Sequence, residues 1–296
     1  SRIIWMDRQV RGCTDSGEKM INLVLPDGTK PIYRDIIAED PDDLYFQKII
    51  DQFAPYTMTV LRGIEPSYSL YKAVQYVVEN KIPGDFVECG VWRGGSVILI
   101  ALALAHFGDT DRKIFLYDTF TGMTKPDEKD VDWDGLNLQE KWEKDSNQWG
   151  YGGSLEEVRK NVYASNYPKD NFVFVKGPVE HTIPGTVPEK IALLRLDTDW
   201  YASTYHELVH LYPTLSVGGI LIIDDYGWCR GARQATDQYI KENKLNNFDK
   251  IINIIKNNPN KVKLKSNGKL IYFLNRENNS KRISDIRDFM NILAKN

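Results

Sequence analysis

Two pairs of acidic residues follow aliphatic runs in the second half of the chain. Asp197 and Asp199 come after the run that ends at Leu196, and Asp224 and Asp225 come directly after a second run. Such runs are typical of strands buried on both faces, and the carboxyl ends of neighbouring parallel strands border the ligand crevice of an open sheet. We therefore expect the four carboxylates to converge, which favours a hard-cation site over a role limited to capping helices.

A glycine-rich turn and two further acids precede these pairs. Gly90, Gly94 and Gly95 lie between a predicted strand and a predicted helix, where glycine lets a ligand approach the backbone. Their spacing is not G-x-G-x-x-G, which disfavours a dinucleotide-binding fingerprint. Asp118 ends the next predicted strand, where an acid would bind a ribose diol, and Glu88 is suited to a cationic amino-acid group. S-adenosylmethionine fits this combination better than a nicotinamide dinucleotide does.

The elements that must position these residues alternate between strand and helix. The hydrophobic pattern predicts strands over 86–89, 114–117, 172–175, 191–196 and 220–223, and helices over 66–80, 96–107, 154–164, 203–211 and from 232 onward. This alternation predicts an α/β fold with a mostly parallel, Rossmann-like sheet and helices on both faces. Two strand-like runs around Asn267-Gly268 predict a terminal antiparallel hairpin, the layout of class I methyltransferases.

Composition favours a partner that is a small molecule. With 38 basic and 41 acidic residues and a net charge of -3, the 296-residue chain has no general attraction to nucleic acid or anionic membranes. No apolar run is long enough to span a bilayer. Cys13, Cys89 and Cys229 form no C-x-x-C pair, and the N-terminus shows no signal-peptide pattern. These features predict a reducing, cytoplasmic location.

The sequence resembles the macrocin O-methyltransferase family in four strings. They lie at 84–96, 117–123, 196–204 and 218–227, within a match that runs from about residue 56 to 239. The family comprises sugar O-methyltransferases of antibiotic and glycan biosynthesis that depend on S-adenosylmethionine and a divalent metal. The resemblance implies the same fold and activity here, with a glycoside, a nucleotide sugar or a glycan as the acceptor.

The resemblance also implies roles for individual residues. Asp197, Asp224 and Asp225 would bind Mg²⁺, and Asp199 would be the general base, at a position where some relatives have a histidine. The implied S-adenosylmethionine site draws on the glycine-rich turn, the strand that follows it and two more distant segments. Its residues are Thr57, Met58, Glu88, Gly90, Arg93, Gly94, Ser96, Asp118, Thr119, Phe120 and Ser154.

The remaining segments frame a central domain. We expect a partly irregular N-terminal extension over 1–55, the methyltransferase domain over 56–276 and a C-terminal helical tail over 277–296. The segment 121–153 is rich in Asp, Trp and Gly and too long for an ordinary connection, so it is expected to form a lid. An apolar stripe over 283–293 predicts either a homo-oligomer interface or docking of the tail onto its own domain.

Three other functions remain open at this point. A catechol-like phenol could replace the sugar, because a metal binds a vicinal diol in either case. A nucleotide-sugar oxidoreductase would need a G-x-G-x-x-G turn and a catalytic Tyr or Lys, and neither is evident. A non-catalytic binding module of a glycan-synthesis protein would have no need of the clustered acids.

Two short motifs imitate other metal sites. The H-E-x-x-H string at 206–210 lacks the third ligand that a catalytic zinc requires. Asp130, Asp132 and Asp134 imitate the start of an EF-hand loop, but Lys141 stands where a glutamate is needed. We therefore expect neither a zinc protease site nor a calcium loop.

Overall fold

The computed structural model describes residues 41–59, 64–132, 134–144, 152–227, 229–245, 263–266 and 269–273. Strands β1 to β7 span Asp85–Cys89, Ile114–Asp118, Phe172–Lys176, Ile191–Leu196, Leu215–Ile223, Lys263–Ser266 and Lys269–Phe273. Helices α1 to α8 span Pro41–Phe53, Glu65–Glu79, Gly95–His106, Leu138–Lys144, Leu155–Tyr163, Val179–Thr182, Tyr201–Leu211 and Arg230–Glu242.

The described strands form one sheet in the order β3-β2-β1-β4-β5-β7-β6. Strands β1 to β5 run parallel to their neighbours, β7 runs parallel to β5, and β6 pairs antiparallel with β7. The predicted α/β fold with a mostly parallel sheet is confirmed. The Asn267-Gly268 turn, expected to join β6 to β7, lies outside the described residues, as does the tail over 277–296.

The chain changes direction across the sheet beside β1. From β1 it builds β2 and β3 on one side, and it then returns to build β4 and β5 on the other. Cys89 lies opposite Leu196, and Leu196 lies opposite Ile223, so β1, β4 and β5 end level with one another. Ligands bind outside the carboxyl ends of the strands at such a switch point.

The buried elements are those with continuous apolar sequence. All six residues of β4 are buried, and α3, which is apolar on nearly every side, has ten buried residues. Helices α7 and α8 pack together, and their side chains contact the face of the sheet that Val87 and Cys89 occupy. In the described segments no helix combines the length and the apolar character needed to cross a membrane.

Two elements differ from the predicted ones. Helix α1 was not predicted, although Pro41 begins it and Asp42 and Asp43 lie in its first turn, where proline and acids are favoured. It is joined to α2 by a hydrogen bond of 2.8 Å from the Tyr68 hydroxyl to the Asp43 carboxylate. The extension expected to be partly irregular over 1–55 therefore contains a helix over 41–53 that the sequence analysis did not identify.

Strand β5 begins at Leu215 rather than at residue 220. Its first half contains Gly218 at φ +82° and Val217 with 72% of its surface exposed, so no buried pattern marks it in the sequence. The pairing of β4 with β5 also shifts register between Ile191 and Leu193. A glycine and a register irregularity are features that period-two pattern analysis misses.

A Gly90→Ala substitution should destabilise the protein by about 2–5 kcal/mol, because it combines a left-handed backbone with overpacking. Gly90 has φ +83°, and an added Cβ would lie 1.9 Å from the backbone oxygen of Asp197. Gly108→Ala is the matched control, since Gly108 has φ +77° with no atom within 4 Å of an added Cβ. Urea unfolding should show a clearly smaller loss for the control; equal losses would contradict the steric argument.

Candidate functional site

Three carboxylates meet at the switch point. Asp197 directly follows β4, and Asp224 and Asp225 directly follow β5 in a short 3-10 turn. One potential ligand oxygen from each lies within 4.8 Å of the others. Asp224 and Asp225 are buried and Asp197 is partly buried. The structure thus brings together the three acids for which a shared role was predicted.

Asp199 is not a member of this carboxylate group. The sequence analysis expected all four carboxylates to converge, and among the described residues three of them form a potential metal-binding group. Strand β4 ends at Leu196, and the backbone at Asp199 is left-handed with φ +65°. Burial raises the pKa of the Cys229 thiol, and the negative charges of Asp199 and Asp225 raise it further, so these two carboxylates act on the same buried group.

Arg195 is a residue of the site that the sequence analysis missed. It is 2% exposed, and its guanidinium Nη1 donates to Asp197 Oδ2 at 2.7 Å and to Glu88 Oε1. Its Nη2 donates to Asp224 Oδ1 at 2.9 Å. A charged residue inside an otherwise aliphatic strand must be paired, and that was the available signal. Two of the three grouped carboxylates therefore share one buried cation.

Glu88 lies behind the carboxylate group and is 1% exposed. Burial raises the pKa of Glu88 to about 8, while the neighbouring Arg195 guanidinium opposes the rise. Its Oε1 accepts from Arg195, and its Oε2 has no hydrogen-bond partner among the described residues. The structure gives Glu88 an internal cation that the sequence did not predict. Contact between Glu88 and a ligand stays a prediction.

Asp118 holds the glycine-rich turn. Its Oδ2 accepts from the backbone amides of Val91 at 2.7 Å and Trp92 at 3.0 Å, and its Oδ1 accepts from the amide of Phe120 at 2.6 Å. Burial raises the pKa of Asp118, and these amide hydrogen bonds oppose the rise. The carboxylate therefore fixes the glycine-rich loop. Contact between Asp118 and a ribose stays a prediction.

Glycines in the turn are required by the protein backbone. Gly90 packs against the backbone of Asp197, as described above, and an added Cβ on Gly95 would lie 2.6 Å from both Thr57 Cβ and the Tyr56 carbonyl carbon. Gly94 has φ +94° and caps α3, which begins with Gly95 and the buried Ser96. The turn thus packs against the residue that follows β4 at Gly90 and against the 56–59 segment at Gly95, where α3 begins.

Several other predicted cofactor residues surround this turn. The Arg93 guanidinium contacts Glu157 at 2.7 Å and lies 5.5 Å from the ring centroid of Tyr56. Ser154 caps α5 by accepting from the Glu157 amide at 3.2 Å. Four more predicted residues lie in the 57–59 segment and directly after β2; they are Thr57, Met58, Thr119 and Phe120. The Thr57 hydroxyl accepts from the Thr59 amide, and Met58 is 40% exposed whereas Phe120 is 3% exposed.

The two imitation motifs have structural explanations. Asp132 Oδ1 accepts from the Leu136 amide at 2.8 Å, so this carboxylate closes a local turn. In the H-E-x-x-H string, His206 Nε2 contacts the Ile183 carbonyl at 2.9 Å, and Glu207 is 0% exposed with its Oε2 accepting from Thr198. A glutamate buried in this way cannot face a zinc-bound water, in agreement with the expectation that the string is not a zinc site.

The fold is similar to that of a solved O-methyltransferase. The structure titled O-methyltransferase NovP matches with a TM-score of 0.55 and 29% identity, covering 73% of this chain and 81% of that chain. The demethyldecarbamoylnovobiocin O-methyltransferase of Streptomyces niveus is 35% identical over 185 residues, which are 62% of this chain and 69% of that enzyme. The fold is therefore that of an O-methyltransferase, and the similar enzymes carry that activity in their names.

The family assignment follows from two further comparisons. The 8-demethyl-8-(2,3-dimethoxy-alpha-L-rhamnosyl)-tetracenomycin-C 4'-O-methyltransferase of Streptomyces olivaceus is 33% identical over 215 residues, covering 72% of this chain and 79% of that enzyme. The model of the macrocin-O-methyltransferase (TylF) family matches residues 51–256. The chain belongs to the macrocin-O-methyltransferase family, and the resemblance found in its sequence is confirmed.

An Arg195→Met substitution should lower the free energy of unfolding by about 3–5 kcal/mol, because removal of one partner leaves buried carboxylates without their cation. Lys125→Met is the control, since Lys125 pairs with Glu143 at 3.2 Å on the surface. The control should cost no more than about 1 kcal/mol. Urea unfolding of both variants tests this, and comparable small losses would show that Arg195 does not stabilise the carboxylates.

Proposed function

We propose that the protein is an S-adenosylmethionine- and Mg²⁺-dependent O-methyltransferase that methylates a sugar hydroxyl. The observation that carries the proposal is the group of Asp197, Asp224 and Asp225 at the switch point of a sheet in an O-methyltransferase family member. A sugar acceptor is supported by the Streptomyces olivaceus relative, whose name includes a rhamnosyl group.

The carboxylate group fits a magnesium ion. Mg²⁺ prefers oxygen ligands in octahedral geometry and is held in proteins by a few carboxylates, with the remaining positions left for water or substrate. Asp197, Asp224 and Asp225 supply such oxygens within 4.8 Å of one another. When bound there, Mg²⁺ would act as a Lewis acid that lowers the pKa of a substrate hydroxyl.

Asp199 is proposed as the general base. It lies beyond the end of β4 on a left-handed backbone and outside the carboxylate group. Asp199 is two residues from Asp197 in the sequence and is not one of the three proposed metal ligands, which supports its assignment as the acceptor of the proton from the sugar hydroxyl. A correctly placed general base contributes typically ~10²–10⁴-fold to the rate.

The methyl donor is proposed to lie on the glycine-rich turn. S-adenosylmethionine supplies an electrophilic methyl group, so the protein must chiefly align that group with the acceptor oxygen. The turn between β1 and α3 presents a helix N-terminus, and Asp118 holds it in shape through backbone amides. Arg93, Met58 and Ser154 border the same region and are proposed to contact the donor.

Labelled methyl groups should be transferred from S-adenosylmethionine to a deoxyhexose glycoside, and transfer to catechol should be far slower, because the proposal assigns the site to sugars. EDTA should abolish the reaction and excess Mg²⁺ should restore it, because the ion is required to lower the pKa of the hydroxyl. Scintillation counting of each isolated acceptor measures both effects. Faster transfer to catechol, or activity that persists in EDTA, would refute the acceptor class or the metal requirement respectively.

Asp199→Asn should lower kcat by ~10²-fold or more while leaving Mg²⁺ and donor affinity nearly unchanged, because only the proton acceptor is lost. Asp224→Asn should weaken Mg²⁺ binding first, and excess Mg²⁺ should partly restore its activity. Steady-state kinetics and Mg²⁺ titration calorimetry separate the two cases. Rescue of Asp199→Asn by high Mg²⁺ would contradict its assignment as the base.

A further inference from the structure

The connection between β2 and α5 contacts both of the turns that carry acidic residues. The Trp200 indole Nε1 donates to the Thr124 carbonyl at 2.9 Å, which joins the connection to the turn after β4. The Arg230 amide donates to the Val131 carbonyl at 2.9 Å, which joins the connection to the first residue of α8, the helix that follows the turn after β5. The segment 121–153 was predicted to be a lid, and its described residues are therefore attached to the site.

Asp130 lies at the centre of this attachment and is 1% exposed. Its Oδ1 accepts from the backbone amide of Tyr201 at 2.8 Å, and its Oδ2 accepts from the amide of Asp127 at 2.8 Å. An added Cβ on Gly231 would lie 2.1 Å from Oδ1, so the carboxylate is packed between the first residues of α7 and α8. A glycine at 231 is required for this approach.

Asp130 performs the capping role that α7 does not perform for itself. The N-cap residue of α7, Trp200, makes no side-chain capping hydrogen bond. The first amides of a helix need acceptors, and a carboxylate near a helix N-terminus is favourable. Asp130, from a distant part of the chain, supplies that acceptor to the Tyr201 amide. Tyr201 is two residues after Asp199, whose backbone is left-handed. A left-handed non-glycine residue persists only when its surroundings hold it.

We propose that Asp130 is a positioning residue that fixes the backbone of the 198–201 turn and thereby orients the Asp199 carboxylate. The inference rests on the proposed function, in which Asp199 is the general base. Asp130 contacts neither substrate nor metal in this role. It acts through the Tyr201 amide and through its close packing against Gly231, which hold the first residues of α7 and α8 together.

Kinetics of three variants test the proposal. Asp130→Ala should lower kcat by ~10-fold or more, the scale expected for a displaced catalytic group, with the KM for S-adenosylmethionine and the Kd for Mg²⁺ unchanged. Asp130→Asn keeps one acceptor for the Tyr201 amide and should recover most of the activity. Asp132→Ala is the matched control, because the buried Asp132 carboxylate accepts from the Leu136 amide within the same connection. It should leave kcat nearly unchanged.

A double-mutant cycle separates positioning of Asp199 from general structural support. If Asp130 acts through Asp199, the Asp130→Ala, Asp199→Asn protein should be no slower than Asp199→Asn alone. Additive losses would overturn the inference, as would an Asp132→Ala defect equal to that of Asp130→Ala. Failure of both Asp130 variants to fold, with Asp132→Ala folded, would also overturn it. Wild-type kcat in Asp199→Asn would refute the base assignment in the proposed function instead.

Discussion

The site depends on one buried guanidinium. Arg195 lies at the end of β4 and contacts Glu88 from β1, Asp197 from the end of its own strand and Asp224 from the end of β5. Burying charges costs several kcal/mol for each ion unless geometry and hydrogen bonding compensate. One cation contacts acids from three adjacent strands. These contacts form only when the ends of the strands are level, so the charge balance of the site depends on the alignment of the strands.

Much of the fold could be predicted because its signals are local. The continuous apolar runs of β4 and α3 identify buried elements, and the level ends of β4 and β5 follow from parallel pairing, so the convergence of Asp197 with Asp224 and Asp225 was accessible from sequence. Helix α1 was missed although its proline and first-turn acids favour a start there. Its apolar residues pack on α2 and α3, and such tertiary packing supplies most of the stability of a helix.

The features that sequence analysis missed are those set by distant partners. Arg195 could be recognised as a charge that needs pairing, but its partner Glu88 lies 107 residues away along the chain. Asp130 was considered only as part of a false calcium loop, whereas its carboxylate accepts from an amide 71 residues away. Gly90 was assigned to ligand approach, and the closest constraint on it is the backbone of Asp197. In each case the residue type indicated that a special contact was needed, but the partner lies far away in the sequence and could not be identified from the neighbouring residues.

The charge balance of the site gives a physical reason for a metal there. Glu88, Asp197 and Asp224 contact one guanidinium, and Asp225 belongs to the same carboxylate group, so with all groups ionised the cluster carries an excess of three negative charges. Proteins relieve such an excess either by protonating an acid or by binding a cation. The first response is visible in the pKa of Glu88, which burial raises and which Asp197 and Asp224 raise further. A divalent cation at Asp197, Asp224 and Asp225 would reduce the excess to one charge. It would lie there rather than at Glu88, because these three acids follow the ends of β4 and β5, whereas Glu88 lies within β1.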